Sequence, residues 1–463
     1  MSKMGAAEEF KTVRPMTVQV VKTKAETALL EEFAAAEARL PGSDWLRRLR
    51  REAIGAFSAL GLPHRRIEEW KYTDLRAALK EAYPLAAGEK SASDDARAAF
   101  AAAFPDTGSD ENFVRFADGR GTAHGGAAGA SPFLAPIVGN PPAWLKAELE
   151  RETAVRGDAV TALNTAFFTD GAVLDIPDGA EIDMPLHLQF AGGTESAGGE
   201  SRASVFVRNV IRVGKGAKVT LVESHLGSAS AARQVNAVTQ LIVGEGAEVT
   251  HLEFVATAEG SLHLGKHFVT LGAGAVYKPF MLTIGAGLVR NELLLAFAGE
   301  GSELDLGGAF LADHNGHADT TLVIDHAVPR CKSREFLKGV LDGAARGIFQ
   351  GKVIVRPGAQ KTDGKQMARA LMLSPNAEFD SKPELEIFAD DVVCGHGSTS
   401  AELDEDLVFY CRSRGIPLEE AKALLIESFI GEVIDKIEHE ALRDAFMGLA
   451  RRWLRENRAR AAV

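Results

Sequence analysis

The chain has 463 residues, 46% hydrophobic and 25% charged, with a formal net charge of −12 from 52 basic and 64 acidic side chains. That size supports two or three domains with a substantial core, and the composition excludes a disordered tail or a disulfide-held miniprotein. The acidic balance disfavours nucleic acid as a partner, and no apolar run reaches the ~18 residues a membrane-spanning helix needs.

Cys331, Cys394 and Cys411 are odd in number and far apart, which fits a reducing compartment and argues against structural bridges. The first ten residues carry Glu8 and Glu9 where a signal peptide would have an apolar stretch. A cytoplasmic location is expected.

The first third reads as helical and then mixed. An Ala-rich amphipathic helix is predicted over about 25–39. A second, capped by Ser43 or Asp44, places Trp45, Leu46, Leu49, Ile54, Phe57 and Leu60 on one side and is stopped by Gly61 and Pro63. Residues 117–131 are dense in Gly and Ala and read as an irregular loop. Further helices are predicted near 142–152 and 158–168.

From about 172 the texture changes to short Val/Ile/Leu runs separated by Gly-Ala pairs. Val213-Gly-Lys-Gly216-Ala217 returns as Val243-Gly-Glu-Gly246-Ala247, Leu271-Gly-Ala-Gly274-Ala275 and Ala298-Gly-Glu-Gly301-Ser302. The second glycines are 30, 28 and 27 residues apart, with Gly179-Ala180 standing 37 before the first and Gly358-Ala359 standing 57 after the last. No interval holds a helical pattern, so each unit is read as one coil of a parallel β-helix, with a β-sandwich of hairpins as the competing arrangement.

After about 403 the helical period returns. Leu407, Phe409 and Tyr410 precede Pro417, which opens a helix carrying Leu418, Ala421, Leu424, Leu425, Phe429, Ile430, Val433, Ile434 and Ile437, and a last helix covers 442–454. Its arginines, Arg451, Arg452, Arg455, Arg458 and Arg460, read as a solvated face. The domains are thus drawn as 1–170, 171–402 and 403–463.

Few motifs carry chemistry. Gly260 to His267 is one residue short of a phosphate-binding loop, opens no helix, and has His267 where a magnesium-binding hydroxyl belongs. Asp313-His-Asn-Gly-His317 is read as a polar turn, and His251, His263 and His267 as self-satisfied or exposed. Cys394-Gly-His396 follows Val392 and Val393; on a strand, positions i and i+2 share a face, so thiol and imidazole would form half of a soft-metal site. For an isolated pair, a buried cysteine beside a polar turn is the ordinary reading.

The surroundings of the pair change that reading. Gln350 to Gln366, Leu371 to Glu378, Ser381-Lys-Pro-Glu-Leu-Glu-Ile387, Asp390-Asp-Val-Val-Cys394-Gly-His396-Gly397 and Arg412-Ser-Arg414-Gly415-Ile416 together resemble the SufB/SufD family of iron–sulfur cluster assembly scaffolds. Glu69-Trp70-Lys71-Tyr72-Thr73 is similar to the SufD branch.

The resemblance implies a mainly β fold, a right-handed parallel β-helix core flanked by N-terminal helical and mixed regions and a C-terminal helical region. It implies a non-catalytic scaffold that pairs with SufB and the ATPase SufC, holds no cofactor alone, and shares a transient iron–sulfur cluster at the SufB–SufD interface. His396 would be the ligand or proton-handling group there, with Cys394 its neighbour. Phe409, Tyr410, Arg414, Gly415, Ile416, Leu425 and Phe429 would dock SufC. A homodimer of the isolated chain is left open. A purely structural partner of SufC, with Cys394 and His396 inert, is the alternative; a β-helix carbohydrate lyase or hydrolase is a more distant one.

Overall fold

The computed structural model describes residues 21–86, 94–126, 132–153, 157–192, 202–227 and 232–461. The acidic first ten residues, the 127–131 portion of the Gly/Ala stretch and the side chains of Arg458 and Arg460 lie outside the described residues.

Helices α1 (Lys24–Ala36), α2 (Asp44–Leu60), α3 (Leu75–Ala78) and α4 (Asp94–Ala103) precede a hairpin of β1 (Phe113–Ala117) and β2 (Arg120–Gly125). Helices α5 (Ala143–Thr153) and α6 (Ala159–Phe167) lead into the repeat. The repeat opens with β3 (Val173–Ile176), β4 (Glu181–Ala191), β5 (Ala203–Val213), β6 (Lys218–Leu226), β7 (Arg233–Val243) and β8 (Glu248–Thr257). It continues through β9 (Leu262–Leu271), β10 (Val276–Gly285), β11 (Leu288–Phe297), β12 (Glu303–Ala312) and β13 (His317–His326). The last coils are β14 (Lys332–Leu341), β15 (Arg346–Val355), β16 (Asp363–Met372), β17 (Glu378–Ile387) and β18 (Val393–Ala401), followed by α7 (Glu405–Ser413), α8 (Leu418–Ile434) and α9 (Glu440–Ala461).

Even-numbered strands stack in parallel in the order β18-β16-β14-β12-β10-β8-β6-β4, with β1 and β2 beyond β4, and odd-numbered strands stack from β17 down to β3. Each coil therefore gives one strand to each sheet, and the two sheets enclose a lumen, as in a parallel β-solenoid.

The two glycines of each repeat have different tasks. At Gly244 a Cβ would lie 2.8 Å from the backbone of Gly214 and Lys215 in the preceding coil, so the first glycine is demanded by close stacking. Gly246 has open space but adopts φ 67°, the left-handed position of a tight turn. Its N–H donates to the Ala273 carbonyl of the next coil at 2.8 Å.

The same position continues at Arg330 (φ 61°) and Lys361 (φ 64°), 29 and 31 residues on, by 330 − 301 and 361 − 330. Non-glycine residues in the left-handed region hid these two coils from the glycine pattern, and Gly358-Ala359 is not the equivalent pair.

The stretch expected as an irregular loop from 117 contains the turn and second strand of the hairpin instead. Asp118 (φ 44°) and Gly119 (φ 73°) make its two-residue turn, the Asp-Gly signal of a hairpin. Because β1 pairs in parallel with β4, from Phe113↔His187 to Ala117↔Ala191, the region before 170 supplies two strands of the larger sheet. Helix α1 ends at Ala36 and tightens into a 3-10 turn over Glu37–Arg39; its start is fixed by a capping box of Thr23 and Glu26, whereas Ser43 makes no capping bond to α2.

Away from the terminal strands β17 and β18, both sheets bury most of both faces. The lumen holds Val219, Leu221, Val249, Leu271, Leu293, Ile324 and Val353 among others. The N-terminal helices cover the outer face of the odd-numbered strands through Leu46, Phe57, Phe167, Phe206 and Val210. The C-terminal helices cover the even-numbered strands: Ile426, Ile430, Val433 and Phe446 pack on Phe254, Phe280, Leu282, Leu311 and Val340.

The Trp-Lys-Tyr-Thr segment pins the first region across successive odd-numbered strands. The Arg290 guanidinium of β11 lies 4.0 Å from the Trp70 ring centroid and donates to the Glu69 carbonyl at 2.8 Å. Thr73 Oγ1 meets His317 Nε2 of β13 at 2.8 Å and also donates to Asp319.

Phe446 is fully buried and meets Phe104, Phe254 and Phe280 with ring centroids at 5.8, 6.5 and 5.5 Å. Phe446→Ala is expected to cost about 3–5 kcal/mol of stability. Phe409→Ala, at a residue 73% exposed, should shift it by under about 0.5 kcal/mol. Urea denaturation midpoints check both values, and equal effects would contradict this packing.

Candidate functional site at the terminal coil and in the lumen

Strands β17 and β18 are the last members of their sheets, and neither has a neighbour on its outer side among the described residues. At the opposite end of the larger sheet the stack is closed by the antiparallel β1–β2 hairpin. The open end exposes Ile387 (42%), Phe388 (59%) and Val393 (61%), apolar residues beside unpaired backbone edges.

Cys394 and His396 lie on β18 as the strand reading required. Cys394 is half-buried and packs against the lumen core, while His396 is exposed. Beneath Cys394 the register places Gly364 and then Ser333; beneath His396 it places Gln366 and then Glu335. A Cβ at Gly364 would lie 3.7 Å from Cys394 Sγ, so a longer side chain at that position would press on the thiol. Burial pushes the Cys394 thiol up, with Asp363 and Glu335 adding to it. The imidazole is the more available donor of the pair.

Glu335 is 2% exposed and both of its carboxylate oxygens lack a hydrogen bond, as does Gln366 Oε1. Burial raises the Glu335 carboxyl to about 8, so it is a neutral acid near pH 7, two strands inward from His396.

A carboxyl raised in the folded state stabilises most below its ordinary value of 4.5, and that contribution is lost as pH rises through about 8. Relative to Glu335→Gln, the native chain should therefore lose up to roughly 4 kcal/mol between pH 5 and pH 9. Denaturation midpoints across that range test this; parallel profiles would contradict it.

The helical tail is divided in its use. Leu407 (50%), Phe409 (73%), Tyr410 (56%) and Leu424 (46%) are exposed, and the Arg414 guanidinium stands 5.0 Å from the Tyr410 ring centroid. Gly415 turns the chain at φ 86°, and Ile416 is half-buried. A groove of about 850 Å³ lies between α7, the start of α8 and the 372–375 corner, lined by Met372, Leu403, Val408, Phe409 and Leu418.

Leu425 and Phe429 are half-buried. Phe429 lies under Lys338, whose Nζ is 4.2 Å from its ring centroid and donates to its carbonyl at 2.6 Å. The broad apolar face of α8 thus covers the solenoid, and the exposed apolar side chains are those of α7 together with Leu418 and Leu424 of α8.

The histidine expectation is overturned. His251, His263 and His267 are 3%, 2% and 3% exposed and converge in the lumen with His225, Glu223 and Glu253. Glu223 and His225 are on β6, His251 and Glu253 on β8, His263 and His267 on β9. Glu223 Oε1 accepts from His225 Nε2 at 2.9 Å and from Asn209 Nδ2 at 3.3 Å, and Thr239 Oγ1 reaches Glu223 Oε2 at 3.1 Å.

Burial alone would raise Glu223, but the hydrogen bond from His225 and the neighbouring His251 and His267 imidazoles hold it well below the usual carboxylate range. Burial raises Glu253 and drives His263 well below the usual imidazole range. At His267 burial is outweighed by Glu253 and Glu223, which lift it to about 9.

The signal was in the alternation. Ala217, Val219 and Leu221 point inward, and continuing that parity along β6 sends Glu223 and His225 into the lumen. Burial of Val222 on the outer face masked the period of two. The other motifs stay structural: Gly260 to His267 is a turn and strand, and Asp313 to Gly316 is a corner turn with His314 at φ 54°.

Residues 195–429 match the SUF system FeS cluster assembly, SufBD core domain, and residues 23–188 match the SufBD protein N-terminal region. The chain belongs to the SufBD family of iron–sulfur cluster assembly proteins.

Within it, the chain is 31% identical over 409 residues to an iron–sulfur cluster assembly SufBD family protein of Synechocystis, covering 85% of this chain and 88% of that one. It is also similar to the iron–sulfur cluster assembly protein SufD of Escherichia coli, at 26% identity over 83% of this chain and 87% of that one. A chloroplastic relative, ABCI7 of Arabidopsis thaliana, is 30% identical over 62% of this chain and 61% of that protein. Among the described residues no helix is long and apolar enough to cross a membrane.

Proposed function

We propose that this chain is the SufD-type, non-catalytic scaffold subunit of a complex with SufB and the ATPase SufC. In this reading a nascent iron–sulfur cluster, the cargo, is built where the open terminal coil meets SufB. The observation that carries it is the coincidence of an uncapped solenoid end with a thiol and an exposed imidazole on its outermost strand.

The chemistry favours division of the site between chains. Iron and sulfide take thiolate and imidazole ligands, and one Cys-x-His pair cannot close a four-ligand site, so the remaining donors come from SufB. His396, exposed at the rim, is the ligand or proton-handling group. Cys394, half-buried with its thiol held protonated, supports the wall of the site.

SufC docks on the exposed helix α7 and its groove. Phe409, Tyr410, Arg414, Gly415 and Ile416 form the contact, Leu425 borders it, and Phe429 supports α8 from beneath. ATP hydrolysis belongs to SufC, and its motion would open or close the cluster interface through α7 and α8.

His396→Ala in the reconstituted three-protein complex is expected to lower cluster assembly at least tenfold, read by anaerobic absorption spectroscopy, with subunit stoichiometry unchanged. Unaltered assembly in an intact complex would assign the chain a purely structural role beside SufC.

A further inference from the structure

The lumen cluster lies several coils from β18 and takes no part in the function above. Its geometry is that of a metal site. Glu223 Oε2 stands 3.4 Å from His251 Nε2 and 3.6 Å from His267 Nε2. Donors bound to one Zn2+ or Fe2+ at about 2.1 Å in a tetrahedral arrangement lie about 3.4 Å from each other. Glu253 Oε1 lies 3.9 Å from the same His267 nitrogen. Glu253 also groups with His225 and His263, with ligand atoms within 4.8 Å of one another.

A hydrogen-bond network complete in itself would leave few donors over, because buried polar groups are nearly always paired. Here His251 Nε2, His263 Nε2, both His267 nitrogens and both Glu253 oxygens are buried without a hydrogen bond. The outward atoms are nevertheless held. His251 Nδ1 meets Tyr277 Oη at 3.0 Å, which orients the ring and leaves Nε2 as the inward donor. Thr239, Asn209 and His225 fix the Glu223 carboxylate.

Gly265, between His263 and His267 on β9, keeps the space open: a Cβ there would be 3.2 Å from His263 Nε2. A cavity of about 40 Å³, lined by His225 and His263 together with Phe190 and Arg233, adjoins the cluster from the side.

We propose that the lumen of this solenoid binds one divalent first-row transition ion of borderline softness, Fe2+ or Zn2+, through Glu223, His251 and His267, with Glu253 completing the shell. Two imidazoles with carboxylate and no thiolate select such an ion over Mg2+ or Ca2+, which take all-oxygen shells, and over Cu+, which prefers sulfur.

The test uses the full chain, stripped with a chelator and titrated anaerobically with Co2+ as an absorbing probe, then with Zn2+ in competition. One equivalent should bind, with visible bands of a tetrahedral Co2+ site displaced by Zn2+. X-ray absorption of the Zn2+ form should show a nitrogen and oxygen shell without sulfur. Cys394→Ala/His396→Ala should bind as the native chain does. Glu223→Gln and His267→Gln should weaken binding at least a hundredfold.

Tyr277→Phe, which keeps the packing and all first ligands, should weaken binding about tenfold and serves if those variants fail to fold. The proposal is overturned if no stoichiometric ion binds, if sulfur appears in the shell, or if the Cys394/His396 variant alone loses the ion. It also fails if Tyr277→Phe and the folded ligand variants bind as the native chain does.

Discussion

Backbone hydrogen bonding from each coil to the next is the constraint on which the molecule rests. The turn N–H groups of Gly216, Gly246, Gly274, Gly301, Arg330 and Lys361 donate in succession to the carbonyls of Glu245, Ala273, Glu300, Pro329, Gln360 and Asp391. A stack built this way satisfies the edges of the interior coils, because each coil's partner is the coil that follows. The N-terminal end is closed by an antiparallel hairpin from a region that is otherwise helical. The C-terminal end is left open at the Asp-Asp-Val-Val-Cys-Gly-His segment, so the unpaired edge and the Cys394–His396 pair occupy one rim.

The lumen obeys a second constraint, since whatever points inward is removed from water. Most coils meet it with aliphatic side chains, and burying those supplies the hydrophobic stabilisation of the stack. Over β6, β8 and β9 the inward positions include two glutamates and four histidines, whose buried charge is tolerable only if paired. On the outer face of the odd-numbered strands, charges are paired in another way. Arg290 bonds Asp319 and Glu292, and Lys266 bridges Asp158 of the N-terminal region to Glu292 at 2.7 Å. That network and the Trp70–Arg290 stack seat the first region on the solenoid.

The coil repeat, the strand placement of Cys394 and His396 and the amphipathic tail were legible because each leaves a periodic trace. The glycine pattern read the repeat correctly from Gly179 to Gly301 and then failed at Arg330 and Lys361, where larger residues hold the same left-handed turn. The β1–β2 hairpin was missed although Asp118-Gly119 announces it, because the Gly/Ala-rich residues around it obscure the strands. The lumen histidines were misjudged for a similar reason: with both sheet faces buried, apolar residues occupy both parities and alternation no longer marks the inside. The use of the α8 face was also not readable from periodicity, which reports that a face is apolar and not what covers it.

An open last coil that a second chain completes is the central claim, and amide hydrogen exchange at the rim tests it most directly. With SufB added, β17 (Glu378–Ile387) and β18 (Val393–Ala401) should change from fast to slow exchange, together with the Asp391 corner, while the interior coils stay as they were. Complex formation that protects other surfaces and leaves exchange in β17 and β18 unaltered would contradict the account.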